Sequence, residues 1–264
     1  MTIRESIWPT GTPCWVDIAV PDVAEAMMFY RSVLGWSYVD TGPELNHYTV
    51  CRTFRRDAAA IGPAPSTTQP SAWTVYLASD DADTTAKLIV ENGGTLVVEP
   101  ADVGHNGRMC VALDPCGGMF GVWQAIETIG VEIIDEPGAL VWTDARLTEP
   151  AVGMDFYAAV FGYDYQPVPG APDGYSTFAV GGRTAGGMGG MLGSTGAPSH
   201  WLAYFAVDDV DATVADAAVV GGLVRQPPQD TPFGRTALLS DRFGATFGLH
   251  GPAISPPSSP WVLG

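Results

Sequence analysis

The sequence contains an internal repeat. "MFYRSVLGW" begins at Met28 and "DFYAAVFGY" at Asp155, and the spacing between matching residues is nearly constant. Tyr30 to Tyr157, Gly35 to Gly162, Trp15 to Trp142, Tyr48 to Tyr175, Arg108 to Arg235 and Asp114 to Asp241 are each separated by 127 residues. Tyr76 to Tyr204 and Asp80 to Asp208 give 128, which marks one inserted residue. Chance does not hold such an offset over half a chain. The 264 residues therefore divide into a first module, 1–128, a second, 129–252, and a Pro/Ser-rich tail, 253–264.

Within the first module the hydrophobic period switches in a fixed order. "CWVDIAVPD" alternates, with Val16, Ile18 and Val20 on one face and Trp15, Asp17 and Ala19 on the other, as a half-buried strand requires. "VAEAMMFYRSVLG" follows at helical spacing, with Asp22 as its cap and Gly35 as its stop. "YTVCRTF", "AAAIGP" and "WTVYLAS" read as strands. "DDADTTAKLIVENGG" is a second helix, capped by Asp80 or Asp81 and ended by Gly93. "TLVVEP", "RMCVALD" and "MFGVWQ" close the module. The order is βαβββ, twice per module. "GGRTAGGMGGMLG" has phosphate-loop-like spacing but lacks Lys-Ser/Thr and a following helix, so it reads as a bulged strand and turn.

Charge excludes several partners. The formal net charge is −17 and Lys87 is the only lysine, which argues against nucleic acid or an anionic membrane surface. No apolar run approaches the ~20 residues that cross a bilayer, and "MTIRESIWPTG" carries no apolar signal region, so a cytoplasmic location is the expectation. Cys14, Cys51, Cys110 and Cys116 show no CxxC pairing and are expected as free thiols.

Taken as a set, "FY…LG", "DD.D", "GG", "GR" and "DP.G" resemble the vicinal oxygen chelate superfamily, which includes glyoxalase I, bleomycin-resistance proteins and extradiol dioxygenases. The resemblance spans nearly the whole chain, twice. It implies an α+β fold of tandem βαβββ modules whose curled mixed sheets enclose one cavity each. It also implies a divalent metal held by His, Gln or Glu at three strand positions. Those positions fall on Trp15, Thr74 and Gly121 in the first module and on Trp142, Leu202 and Gly248 in the second. Tryptophan, leucine and glycine cannot ligate such an ion and a lone threonine is a poor ligand, so no metal or other cofactor is expected.

Strand parity shows what faces the cavities instead. On the side of the first set lie Trp15, Asp17, Tyr76 and Trp123; on that of the second lie Trp142, Asp144, Tyr204 and His250. Tyr48 and Tyr175 join them as ligand-binding candidates. The glycines read as leaving room, although the tryptophans could also fill a closed barrel. Asp17 and Asp144 could form internal ion pairs with Arg108 and Arg235, or serve as binding or acid–base groups whose pKa burial raises. His250 is the best single candidate for a general base. His47, His105 and His200 fall near turns or strand starts, and there is no GxSxG elbow.

Two functional classes stay open, with a bare interaction scaffold as a third. The first is metal-independent binding of a small aromatic or hydrophobic compound, as in drug or natural-product sequestration. The second is a glyoxalase-like lyase, hydroxylase or dioxygenase-type enzyme acting on a small carbonyl or quinone, with His250, Asp17 or Asp144 as the catalytic group. Tandem duplication can replace the dimerisation of two single modules, so a monomer or a homodimer is the expectation.

Overall fold

The computed structural model describes residues 2–64, 71–172, 174–192 and 196–254. Its elements run β1 (Thr2–Ile3), β2 (Pro13–Val20), α1 (Val23–Leu34), β3 (Ser37–Asp40), β4 (Thr49–Thr53), β5 (Arg56–Pro63), β6 (Trp73–Ala78), α2 (Ala82–Glu91), β7 (Thr95–Val103), β8 (Gly107–Leu113) and β9 (Met119–Ala125). They continue with β10 (Ile133–Ile134), β11 (Leu140–Arg146), α3 (Pro150–Phe161), β12 (Asp164–Pro167), β13 (Ser176–Val180), β14 (Arg183–Gly189), β15 (His200–Ala206), α4 (Val210–Val219), β16 (Leu223–Thr231), β17 (Gly234–Ser240) and β18 (Thr246–Gly251).

Helix starts follow local chemistry. The carboxylates of Asp22, Asp81 and Asp209 each accept from a backbone N–H one turn into α1, α2 and α4. α1 and α3 stop at Gly35 and Gly162, both left-handed. α2 closes on Asn92, one residue before the expected Gly93.

The strands form two open mixed sheets, not closed barrels. One has the order β3-β4-β5-β2-β6-β9-β8-β7 and the other β12-β13-β14-β11-β15-β18-β17-β16. The parallel pairs β2–β5 and β6–β9 in the first sheet match β11–β14 and β15–β18 in the second. β1 pairs antiparallel with β10, which joins β11, so the chain's first strand belongs to the second sheet. Within "GGRTAGGMGGMLG" residues Arg183–Gly189 form β14, and Ala185 is its extra residue, since consecutive Phe178 and Ala179 of β13 pair with Gly186 and Thr184; Gly193 lies outside the described residues. The expected tail lies, from residue 255, outside the described residues.

The alternate faces of β2, β6 and β9 carry Val16, Ile18, Val20, Val75, Leu77, Phe120 and Val122, all buried. They share one core with the helices and with the other sheet. Trp36 and Trp73 both meet Phe205 edge-on, with centroids 5.2 and 5.3 Å away. Phe247 packs on Phe29 and Tyr30, and Phe120 packs on Phe156, Tyr157 and Phe161. Each module's first helix thus rests on the last strand of the other module. Each fully buried large side chain contributes roughly 1.5–3 kcal/mol relative to an exposed one.

Two reciprocal polar ties cross this core. The Tyr30 hydroxyl donates to Asp241 Oδ2 at 2.9 Å and accepts from Trp73 Nε1 at 3.1 Å. The Tyr157 hydroxyl donates to Asp114 Oδ2 at 3.0 Å and accepts from Trp201 Nε1 at 2.8 Å. The other oxygen of each carboxylate accepts two backbone N–H groups of its own turn. Burial raises the pKa of both carboxyls, against these hydrogen bonds. The tyrosines of "FY" and the aspartates of "DP.G" and "DRFG" are therefore the clasp between modules.

The cysteines are free. Among the described residues no helix is long and apolar enough to cross a membrane.

Candidate functional site

The faces opposite the shared core each carry a cavity of about 300 Å³. The first is lined by Trp15, Asp17, Leu45, Tyr48, Val50, Tyr76, Asn106, Met109, Trp123 and Thr128, among others. Its walls are built by register: Trp15 lies opposite Tyr76, Tyr76 opposite Gly121, and Met109 opposite Trp123. Tyr48 reaches in from the turn ahead of β4.

Asp17 sits in this wall, half-buried. Its Oδ2 accepts from the Tyr48 hydroxyl at 2.8 Å and the Tyr76 hydroxyl at 3.1 Å. Tyr48 accepts in turn from Trp15 Nε1 at 2.9 Å. Oδ1 makes no hydrogen bond among the described residues and is not sealed from solvent. Desolvation pushes the Asp17 carboxyl up to about 6, against the two tyrosine hydrogen bonds that favour its charged form.

The second cavity is lined by Trp142, Asp144, Arg146, Tyr175, Tyr204, Gln226, Gln229, Phe233, Leu238 and His250, with others. Asp144 Oδ1 accepts from the Tyr175 hydroxyl at 2.6 Å and from Trp142 Nε1 at 2.8 Å. Its Oδ2 accepts from Arg146 Nη2 at 2.7 Å, and Nη2 also donates to the Tyr204 hydroxyl at 3.0 Å. Burial works against the Arg146 charge, but Tyr204, Asp144 and Tyr175 outweigh it and hold its pKa above the ordinary value. Trp142 stacks on Phe233 at 6.3 Å between centroids. His250 Nε2 lies 2.9 Å from the Phe233 carbonyl. A carbonyl only accepts, so Nε2 carries the proton and Nδ1 is left as the basic nitrogen.

All ten candidates thus line one cavity or the other: Trp15, Asp17, Tyr48, Tyr76 and Trp123 the first; Trp142, Asp144, Tyr175, Tyr204 and His250 the second. Three expectations need correction. The carboxylates do not pair with Arg108 and Arg235. Arg108 binds Asp83 and Asp102, both at 2.7 Å, and Arg235 binds Asp211 at 2.8 Å and Asp230 at 3.2 Å. These are nearer acids on the adjoining helix and strand. Nor do Gly121 and Gly248 leave open space. A Cβ at Gly121 would lie 2.1 Å from Tyr76 Cδ1, and one at Gly248 2.0 Å from Tyr204 Cδ1. The glycines admit tyrosine rings. Finally, the tryptophans do not fill a closed barrel, since an open cavity remains beside each.

The reading of the sequence missed Arg146. The signal was available: Arg146 is two residues beyond Asp144 on the same strand face, and its counterpart, one repeat earlier, is Ala19. Phe233, Met109 and the glutamines come from later strands and turns whose direction no local period reveals.

A divalent metal is the group the fold would ordinarily hold here, and the residues do not fit it. The expected ligand positions carry Trp15, Thr74, Gly121, Trp142, Leu202 and Gly248, and tyrosine rings cover both glycines. Among the described residues no three His, Cys, Asp or Glu side chains converge on one point.

Paired βαβββ sheets with a cavity on each define a class. The chain belongs to the glyoxalase/bleomycin resistance protein/dioxygenase superfamily, whose family model matches residues 14–122. "Putative glyoxylase CFP32" of Mycobacterium bovis is 37% identical over 257 residues, covering 95% of this chain and 98% of that protein. The anthracycline biosynthesis protein DnrV of Streptomyces peucetius is 35% identical, covering 90% and 92%. A Mn(II)-bound glyoxalase from Novosphingobium aromaticivorans superposes with a TM-score of 0.63 at 14% identity, covering 94% of this chain and 86% of its own. BphC, a halotolerant catechol dioxygenase, gives 0.62 at 12% identity, covering 96% and 91%. At these identities the solved structures speak for the fold alone.

Proposed function

We propose that this chain binds a small aromatic or hydrophobic compound, with no metal taking part, in a manner suited to sequestering a drug or natural product. One observation carries this reading: in both modules the last-strand ligand position is a glycine roofed by a tyrosine ring, and rings line the adjacent hollow. Flat apolar ligands gain burial against such walls, and each ring pair adds roughly 0.5–1.5 kcal/mol beyond that. The relative named for anthracycline biosynthesis agrees in kind, because anthracyclines are fused-ring aromatics. The small molecule is the partner this reading requires; the acidic surface gives no reason for nucleic acid or membrane.

The test is a fluorescence titration with naphthoquinones, anthraquinones and their saturated analogues. Trp15, Trp123 and Trp142 border the cavities, so saturable quenching by the aromatic members is expected. A flat response to every aromatic, with folded protein, would sink the proposal.

A catalytic reading stands second, favoured by the raised Asp17 carboxyl, the basic Nδ1 of His250 and the glyoxylase name of one relative. It requires turnover of a small carbonyl or quinone substrate that Asp17→Asn or His250→Ala abolishes while the fold persists. Aromatic binding that survives both substitutions, without turnover, decides for binding.

A further inference from the structure

The second cavity carries a cation that the duplication does not repeat: Arg146 corresponds to Ala19 in the first. Around it the hydrogen bonds are nearly all spent. Both oxygens of Asp144 are occupied, by Tyr175 and Trp142 on one side and by Arg146 Nη2 on the other. Nη2 is occupied twice, by Asp144 and Tyr204. Within the Asp144–Arg146 pair, what remains is on the guanidinium; the Gln226 and Gln229 amides stand on the same wall and can turn either a donor or an acceptor to a ligand. Nε is buried with no partner, and Nη1 has none among the described residues but is not sealed from solvent. Nε is sealed from any ligand, so Nη1 is the N–H group that an acceptor in the cavity can meet, and a buried cation with an unspent N–H is costly until one arrives.

The first cavity is the converse. Asp17 Oδ1 is an unspent acceptor there, no cation among the described residues lines the cavity, and the second carboxylate on its wall, Asp57, is paired with Arg52 at 2.5 Å; the Asn106 amide is the neutral donor nearby. Since Asp144 already offsets the Arg146 charge, the second cavity needs no anion; a neutral oxygen acceptor completes it without adding net charge.

We propose that the two cavities have opposite polar selectivity: the second takes an aromatic compound through a carbonyl oxygen accepting from Arg146, and the first takes one through a hydroxyl or amino donor to Asp17. This rests on the aromatic-binding reading. It makes Arg146 a specificity-determining residue and lets one chain hold two ligand types, or the two ends of one type, in separate hollows. An aromatic ketone or quinone is the class that suits the second cavity, its ring lying against Trp142 and Phe233.

The experiment uses the full chain and three probes of one shape: 2-acetonaphthone, 2-naphthylmethylamine and 2-ethylnaphthalene. Titrations are followed by the indole N–H signals of Trp142 and of Trp15 and Trp123 in two-dimensional NMR spectra. The expected result is that 2-acetonaphthone moves the Trp142 signal at about tenfold lower concentration than 2-ethylnaphthalene does, and that Arg146→Met removes this advantage while Asp17→Asn leaves it. The amine is expected to favour the Trp15 and Trp123 signals and to lose that preference in Asp17→Asn. Because Arg146→Met strands a buried carboxylate, the double variant Asp144→Asn/Arg146→Met serves beside it, and the three-probe comparison on unaltered protein decides without any variant. Equal binding of the ketone and the hydrocarbon at Trp142 would overturn the inference alone. Failure of 2-ethylnaphthalene and both other probes to bind anywhere would overturn the aromatic-binding reading, and this inference with it.

Discussion

Burial lifts Asp17 to about 6 while the hydrogen bonds from Tyr48 and Tyr76 pull it down. Tyr48→Phe removes one of those bonds, so the Asp17 carboxyl should titrate above about 6, as read from its carbon-13 side-chain shift against pH. The sign for stability follows from linkage. The native carboxyl holds its proton more tightly than the unfolded one, whose pKa is about 3.9. Its stabilising contribution is therefore complete below about 3.9 and is lost as pH rises through about 6. Denaturant unfolding of Asp17→Asn should show a flatter stability profile across that window, gaining on the native chain toward neutral pH. An unchanged slope would mean that Asp17 is well solvated. Gly121→Ala and Gly248→Ala belong to the same scale. Each forces a methyl into a tyrosine ring and should cost about 1–3 kcal/mol by equilibrium unfolding. A neutral result would show that the rings are not held over the glycines.

Strand and helix patterns were the most legible part of the sequence. Strict alternation in "CWVDIAVPD" separated Val16 and Ile18 from Trp15 and Asp17, and the two faces lie in different clusters, one the shared core and the other the cavity wall. Parity predicts a face but not what lies across from it. For that reason the 127-residue spacing does not reveal the partners of Arg108 and Arg235: their acids sit on α2 with β7 and on α4 with β16, and only tertiary packing brings those together. The same limit hid the meaning of "FY" and "DP.G". Their periodic spacing is visible, yet Tyr30 meets Asp241 across 211 positions of sequence. Tyr30→Phe leaves the Trp73 indole and one Asp241 oxygen without their hydroxyl. It should cost about 1–3 kcal/mol, as should Tyr157→Phe in the matching tie, measured by chemical denaturation. If both were silent, the clasp would contribute nothing to holding the modules together.

At the scale of the molecule, duplication preserved the frame and let the cavities diverge. The sheet orders, the glycine stops of α1 and α3, the aspartate caps of α2 and α4 and the reciprocal clasps repeat, while Ala19 against Arg146 and Trp123 against His250 do not. A binding site assembled from strand faces changes character through a few such positions without disturbing the core behind them. In the proposed function, rings in place of a chelated ion define what these hollows accept. Isothermal titration of the intact chain with 2-ethylnaphthalene, once in EDTA and once in added Mn²⁺, tests it most directly. Saturable binding of the same affinity under both conditions is the predicted result. Binding that disappears in EDTA and returns with the ion would contradict it.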